Sequence, residues 1–135
     1  METKRAIERL GRDLGIPTGD AYTQDWAFEL PEAYRTDPWL DRYLEAFVRS
    51  DYGWHEREEL LDLIFDIVNE RLTADADAGA RLWHRVRSVV DPYLMLHRER
   101  VAYWACPDFT LEEAFAFAPF ARALLDAPAA APARR

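Results

Sequence analysis

The sequence has little of what crosslinks a chain or carries it into a membrane. Among its 135 residues there is one cysteine, Cys106, which excludes an internal disulfide. No apolar run approaches the ~20 residues of a membrane-spanning helix, and the charged N-terminal stretch lacks the apolar region of a secretory signal. We therefore expect a cytoplasmic protein that is stabilised by a hydrophobic core, for which the length is sufficient.

Motifs for catalysis and for nucleotide binding are also missing. The chain has no glycine-rich phosphate loop, no G-x-S-x-G and no C-x-x-C pair. Its histidines, His55, His84 and His97, do not have the H-x-x-x-H or H-E-x-x-H spacing of metal ligands. Cys106 follows an aromatic pair at a predicted helix end, which favours packing over reactivity. We expect a non-enzymatic protein with no catalytic residues, no cofactor and no metal site.

Negative charge is in excess and is unevenly distributed. The chain has 25 acidic and 17 basic residues, a net charge of −8, which repels the phosphates of nucleic acids. Residues 51–70 hold seven acids and one base, whereas residues 81–100 hold five arginines and two acids. The sequence thus disfavours nucleic acid and membrane as partners and favours a protein with a basic surface.

The spacing of apolar residues predicts an all-α fold. Five segments carry apolar side chains at helical spacing: 3–14, 38–50, 54–72, 82–90 and 92–105. Residues 18–36 fit neither the helical nor the strand period and indicate an ordered loop or one short helix. The TADADAG stretch, 73–79, is expected to be a loop.

The C-terminal region carries two further signals. Thr110 and Glu113 have the spacing of a capping box, which predicts a sixth helix beginning there. Because Pro119 lacks a backbone N–H donor, we expect a kink or a restart of this helix near Ala118. The prediction is a single-domain bundle of five to six helices over residues 1–126. The alanine- and proline-rich tail, 127–135, is expected to be disordered.

The third predicted helix carries acidic residues at every fourth position. We call this set the acidic row: Glu58, Asp62, Asp66 and Glu70. Like charges at this spacing cost about 1 kcal/mol in total unless cations face them. One interpretation is internal pairing with Arg81, Arg85 or Arg87, or with Arg98 and Arg100. The other is that the row is exposed and recognises a cationic partner surface.

Aromatic residues are concentrated in residues 20–54, which contain nine of the 18 in the chain. Five of them have a spacing that predicts burial in the core: Trp26, Phe28, Trp39, Tyr43 and Phe47. Four lie in polar or turn contexts that favour exposure: Tyr22, Tyr34, Tyr52 and Trp54. Because exposed Tyr and Trp often anchor protein interfaces, we expect Tyr52 and Trp54 to adjoin the acidic row as partner contacts.

Several short strings resemble those of small acidic immunity proteins of bacterial polymorphic-toxin systems. They are Tyr22-Thr23-Gln24-Asp25-Trp26, the Tyr103-Trp104 pair and Pro119-Phe120-Ala121-Arg122, with an acidic helix between the first and second. The resemblance implies a protein partner, a cognate toxin, rather than a reaction. Where the toxin is a basic nuclease, an acidic helix would mimic the phosphates of its substrate.

The sequence therefore predicts a binding protein that neutralises a partner with a basic surface. The predicted partner-binding residues are Tyr52, Trp54, Glu58, Asp62, Asp66 and Glu70. The first alternative is a helical scaffold or regulatory subunit that homodimerises through the aromatic-rich helices at 38–50 and 54–72. The second is a small enzyme or ligand-binding protein built around His84, His97 and the Tyr103-Trp104 pair.

Overall fold

The computed structural model describes residues 2–20 and 22–126, which contain α-helices, 3₁₀ helices and turns but no β-strand. The α-helices are α1 Glu2–Leu14, α2 Trp26–Glu29, α3 Asp37–Phe47, α4 Trp54–Ala74, α5 Ala76–Val90, α6 Arg98–Ala105 and α7 Ala118–Asp126. Two 3₁₀ helices lie at Glu32–Tyr34 and Asp91–His97. Six of these α-helices have eight or more residues, so the predicted all-α bundle of five to six helices is confirmed.

The chain divides into two compact units, and the division falls within α4. Unit 1 ends at Ile67 and unit 2 begins at Val68. The predicted limits of a single domain, 1–126, stay a prediction, and the tail predicted to be disordered, 127–135, lies outside the described residues. Within the described residues, no helix has both the length and the apolarity needed to cross a bilayer.

The core of unit 1 consists of apolar side chains from α1, α3 and the first part of α4. Its fully buried members include Ala6, Leu10, Leu40, Tyr43, Phe47, Leu60, Leu61 and Ile64. Trp26 is also buried, and its indole N–H donates to the Pro17 carbonyl at 2.8 Å. Of the five aromatics predicted to be in the core, Trp26, Tyr43 and Phe47 are buried, and Phe28 and Trp39 are half-buried.

The loop predicted at 73–79 is wrong, because α4 and α5 are separated by Asp75 alone. The Asp75 carboxylate accepts the backbone N–H groups of Asp77 and Ala78, each at 3.1 Å, and so begins α5. Gly79 then lies against α4: a Cβ at this position would be 2.6 Å from the Leu72 Cα. The absence of a side chain at Gly79 allows the two backbones to approach this closely.

Unit 2 differs from the prediction at two other places. The segment predicted as one helix over 92–105 is a 3₁₀ helix, Asp91–His97, followed by α6. The Thr110 hydroxyl donates to the Glu113 carboxylate at 2.8 Å, but this pair closes a turn and no helix begins there. The predicted restart at Ala118 is confirmed, since α7 begins at this residue and Pro119 lies in its first turn, where a missing donor costs little.

The core of unit 2 is mainly aromatic. Trp83 of α5 meets Phe117 edge-on, with ring centroids 4.9 Å apart, and Trp104 of α6 lies 4.7 Å from Phe115. Asn69 holds the chain just before α7, because its side-chain oxygen accepts the Phe117 N–H at 2.9 Å. The segment leading into α7 is thus anchored by Phe117, which is fully buried.

Candidate protein-binding surfaces

Three of the four carboxylates of the acidic row are buried, so the prediction of an exposed row is wrong for them. The exposed fractions are 7% for Glu58, 5% for Asp62 and 9% for Asp66, whereas Glu70 is exposed. The reason is that α4 is buried at every position from 60 to 68, which leaves this stretch with no solvent-facing side. The interactions of these side chains are within the protein.

The Asp66 carboxylate is neutralised by a buried arginine. The Arg35 guanidinium donates to Asp66 Oδ2 at 2.7 Å and to the Leu30 and Ala27 carbonyls at 2.7 and 2.6 Å. One side chain thus compensates the buried charge and satisfies backbone acceptors at the end of α2. Arg35 was not among the arginines expected to pair with the row, because it lies in the aperiodic segment 18–36.

Tyr52 is also buried, at 3% exposure, so its prediction as a surface contact is wrong. Its hydroxyl donates to the Asp13 carboxylate at 2.7 Å, and the guanidinium carbons of Arg9 and Arg49 lie 4.7 and 4.3 Å from the ring centre. Burial and the nearby Asp13 carboxylate raise the pKa of Tyr52, which keeps the hydroxyl protonated as a donor. Trp54, by contrast, is 48% exposed and packs edge-on against His55.

The arginines beside Tyr52 share a second carboxylate, that of Asp51. Arg9 and Arg49 donate to Asp51 Oδ2 at 2.8 and 2.7 Å. The hydrogen bond from Arg49 lowers the pKa of Asp51 to about 2. This corner of unit 1 is therefore an internal network of charges.

Exposed acids of unit 1 are concentrated ahead of α4, in a part of the chain that we call the acidic segment, residues 20–45. Its exposed carboxylates are Asp20, Asp25, Glu29, Glu32, Asp37, Asp41 and Glu45. The segment has two arginines, of which Arg35 is buried and Arg42 is exposed. Its acids therefore exceed its bases by five. The same excess is present in the sequence, but it lies outside the windows 51–70 and 81–100 on which the charge prediction depends.

Unit 2 contains an apolar groove of about 480 Å³ between the end of α6 and the connection to α7. Its lining residues are Ala102, Tyr103, Cys106, Pro107, Asp108, Phe109, Glu113, Ala114 and Phe115. Two of the aromatic walls are well exposed, Tyr103 at 47% and Phe109 at 56%. Pockets of this volume and apolar character are typical of ligand-binding sites.

The groove is formed where the chain leaves α6. Cys106 ends the helix in the left-handed conformation, with φ of 47°, and Pro107 cannot continue it. The Phe109 N–H donates to the Cys106 carbonyl at 3.0 Å and closes the turn. Arg122 of α7 then donates to the carbonyls of Ala105, Cys106 and Phe109 at 2.7, 2.6 and 2.7 Å. The loop that presents Phe109 is thereby fixed from behind.

The polar part of the groove is acidic. Glu113 is held by the Thr110 hydroxyl at 2.8 Å, and Asp108 is exposed. No lysine or arginine lines the groove among the described residues. The groove therefore combines aromatic walls with negative charge.

The groove was not predicted from the sequence, although a signal for it exists. The Cys106-Pro107-Asp108 string stops a helix immediately before Phe109, an aromatic residue that belongs to no helical stripe. Such a residue has no helix face through which to enter the core. Phe109 lies on the turn after α6 and is 56% exposed.

The two histidines proposed for an enzyme or a ligand-binding site differ in their exposure to solvent. His84 is exposed on α5, whereas His97 is 2% exposed at the end of the 3₁₀ helix. Neither lines the apolar groove. Over the described part of the chain, no group of three or more His, Cys, Asp or Glu side chains is arranged to hold a metal ion.

Comparison with protein-family models, with curated proteins and with solved structures gave no match.

Proposed function

We propose that the chain is a non-enzymatic, cytoplasmic binding protein that neutralises a protein partner with a basic surface, in the manner of toxin-immunity proteins. The observation that carries this proposal is the apolar groove of unit 2, with its exposed aromatic walls and its carboxylates. In this proposal the partner-binding surface is the groove and not the acidic row predicted from the sequence. The partner is blocked by occlusion and no bond is made or broken.

The groove supports a binding role because aromatic surface is costly to leave in water. Tyr103, on α6, and Phe109, on the loop that Arg122 holds in place, are each about half exposed. Clustered apolar side chains at a surface mark interaction sites, and rigid aromatic anchors contribute much of the binding energy of protein interfaces. An anchor that is already ordered loses little conformational entropy when the partner binds.

The acidic segment supports the choice of a basic partner. Seven exposed carboxylates against one exposed arginine, Arg42, give this part of unit 1 a negative potential. Complementary potentials accelerate encounter and disfavour partners of the wrong sign. We assign steering to the acidic segment and anchoring to the groove.

The proposal is tested by co-expressing the chain with the product of the neighbouring gene and purifying the complex. We expect a 1:1 complex that withstands gel filtration at low salt and weakens as salt is raised. Where the partner is toxic, we expect co-expression to restore growth. The proposal fails if the two proteins elute separately at about 10 μM, well above typical dissociation constants of specific complexes.

Sedimentation of the chain alone separates this proposal from the homodimer alternative. Tyr43 and Phe47, two aromatic residues of a helix through which the alternative would dimerise, are fully buried within unit 1. We therefore expect a monomer in the absence of the partner. A tight homodimer that binds no second protein would favour the scaffold.

A further inference from the structure

We infer that the apolar groove of unit 2 binds an extended segment of a protein partner in which a large apolar side chain is flanked by lysine or arginine. This inference rests on the proposed function and adds the chemistry of the contact. Two properties of the groove support it, its open side and its charge, and the interaction already made by one of its walls indicates where a cation of the partner would lie.

The open side of the groove favours a polypeptide segment over an enclosed small molecule. Two walls of the groove, Tyr103 and Phe109, are 47% and 56% exposed, so the groove is open to solvent on one side. Small-molecule sites, by contrast, usually enclose about 70–90% of the surface of their ligand. A segment that inserts one side chain and keeps its other side in water matches such a groove. The aromatic walls then bury an apolar side chain of the partner.

The charge of the groove determines which residues of the partner segment can flank its apolar side chain. Asp108 and Glu113 are the charged side chains of the lining, and both are acidic. Arg122, the arginine nearest in the fold to this loop, directs its donors to three backbone carbonyls. A lysine or arginine of the partner would therefore meet carboxylates in the groove.

The Tyr103 wall already interacts with a guanidinium. The Arg100 guanidinium carbon lies 5.6 Å from the centre of the Tyr103 ring, within the distance for a cation–π interaction. An aromatic wall of the groove thus has a cationic neighbour in the absence of any partner. Because like charges repel, a cation of the partner would contact Asp108 and Glu113 rather than the Tyr103 ring.

The inference is tested with a displayed library of random peptides selected on the immobilised full-length chain. We expect the selected peptides to pair an aromatic or a large aliphatic residue with neighbouring lysine or arginine. The binding of one selected peptide, carrying a fluorophore, is then measured by fluorescence polarisation on the chain and its variants. Selection of acidic peptides, or of none, would overturn the inference.

The variants locate the contact. Phe109→Ala and Tyr103→Ala are each expected to weaken peptide binding at least about tenfold. Asp108→Lys is expected to weaken it about three- to tenfold at low salt and less at high salt. Met95→Ala and Asp126→Lys change an exposed apolar and an exposed acidic residue of unit 2 that do not line the groove, and should leave binding unchanged. Equal loss in these controls, with circular dichroism unchanged, would place the contact elsewhere.

The neighbouring gene product distinguishes a failure of this inference from a failure of the proposed function. If the complex forms and is insensitive to Phe109→Ala, Tyr103→Ala and Asp108→Lys, the function stands and the groove is not its anchor. If the cationic peptides bind in the groove but no complex forms with the neighbouring gene product, the inference about the groove is supported and the proposed function fails. If a second copy of the chain occupies the groove, Phe109→Ala will convert a dimer into a monomer, which overturns the inference.

Discussion

The two units of the molecule differ in net charge. Unit 1 contains 16 acidic and eight basic residues and unit 2 contains nine of each, so the net charge of −8 lies in unit 1. Both units have exposed large apolar side chains, three in unit 1 and five in unit 2 over the described residues, those of unit 2 being Met95, Leu96, Tyr103, Phe109 and Leu111. The charge that is averaged in the composition is thus concentrated in one unit.

Each unit also uses an arginine to hold backbone carbonyls, but with different consequences. Arg35 is buried and bound to Asp66, so its role is to stabilise the interior of unit 1. Arg122 is partly exposed and holds the loop that presents Phe109. An arginine thus stabilises the interior of unit 1, whereas an arginine in unit 2 fixes the shape of a surface loop.

Removal of the Arg35 guanidinium should have the largest effect on the stability of the protein. Arg35→Met leaves the Asp66 carboxylate buried without this partner, and breaking a buried ion pair in this way costs about 3–5 kcal/mol. We expect the free energy of unfolding, measured by urea titration and circular dichroism at pH 7, to fall by about that amount. Arg5→Met, at an exposed position on α1, should change it by less than about 0.5 kcal/mol.

A double variant identifies the origin of that loss. Arg35→Met combined with Asp66→Leu also removes the buried carboxylate that has lost its Arg35 partner, so we expect it to be more stable than Arg35→Met alone. If Arg35→Met is no more destabilising than Arg5→Met, the Arg35–Asp66 pair does not support unit 1.

Removal of the Arg122 guanidinium should have a smaller effect on stability and a specific effect on the groove. Arg122→Met removes charge-assisted hydrogen bonds to carbonyls that water can partly reach, which costs about 1–3 kcal/mol. We expect a modest loss in urea titration, together with loss of binding of the groove peptide. Retained peptide binding with a lowered stability would show that Arg122 does not shape the groove.

Charge reversal in the acidic segment should change the rate of association. Glu32→Lys and Glu45→Lys alter exposed carboxylates of unit 1, and each is expected to lower the association rate constant about two- to fivefold at low salt. The dissociation rate constant should hardly change, because neither residue belongs to the anchor. Stopped-flow mixing with the neighbouring gene product, at low and at high salt, measures both. A matched reversal in the neutral unit, Asp126→Lys, should have the smaller effect on association.

The smallest expected effect is a dependence on pH in the network around Tyr52. The hydrogen bond from Arg49 holds the folded-state pKa of Asp51 at about 2, below its ordinary value of 3.8, so the carboxylate stabilises the fold above pH ~4 and this stabilisation is lost as the pH falls toward 2. We expect Asp51→Asn to lower the Tm by a constant amount between pH 5 and 7. The difference from the unmodified chain should shrink below pH ~4. A difference that grows on acidification would contradict the assigned pairing.

The sequence predicted the parts of the fold that depend on local patterns. The apolar spacing in α1, α3 and α4 marked these helices within a few residues, and Pro119 marked the start of α7. The separation of α4 from α5 by Asp75 was missed, because an acidic residue in an alanine-rich stretch was interpreted as part of a loop. An aspartate cap with helix-favouring alanines after it outweighs that expectation.

The predicted site was less accurate because burial depends on contacts between distant residues. Helical spacing placed Glu58, Asp62 and Asp66 on one face but could not say what covers that face. The residue that binds Asp66 is 31 positions away in the sequence, in a segment without periodicity. Trp54 is exposed as expected, whereas Tyr52, two residues before it, is covered by arginines from α1 and from the end of α3.

The close approach at Gly79 has a consequence for recognising relatives of this protein. A methyl group there would overlap the Leu72 backbone, so a homologue with the same connection between α4 and α5 must keep glycine at this point or separate the two backbones. Arg35 and Asp66 are expected to change together, because a change in either one alone breaks a buried ion pair. An arginine, an aspartate and a glycine at these intervals form a fingerprint that can outlast the similarity of the residues between them.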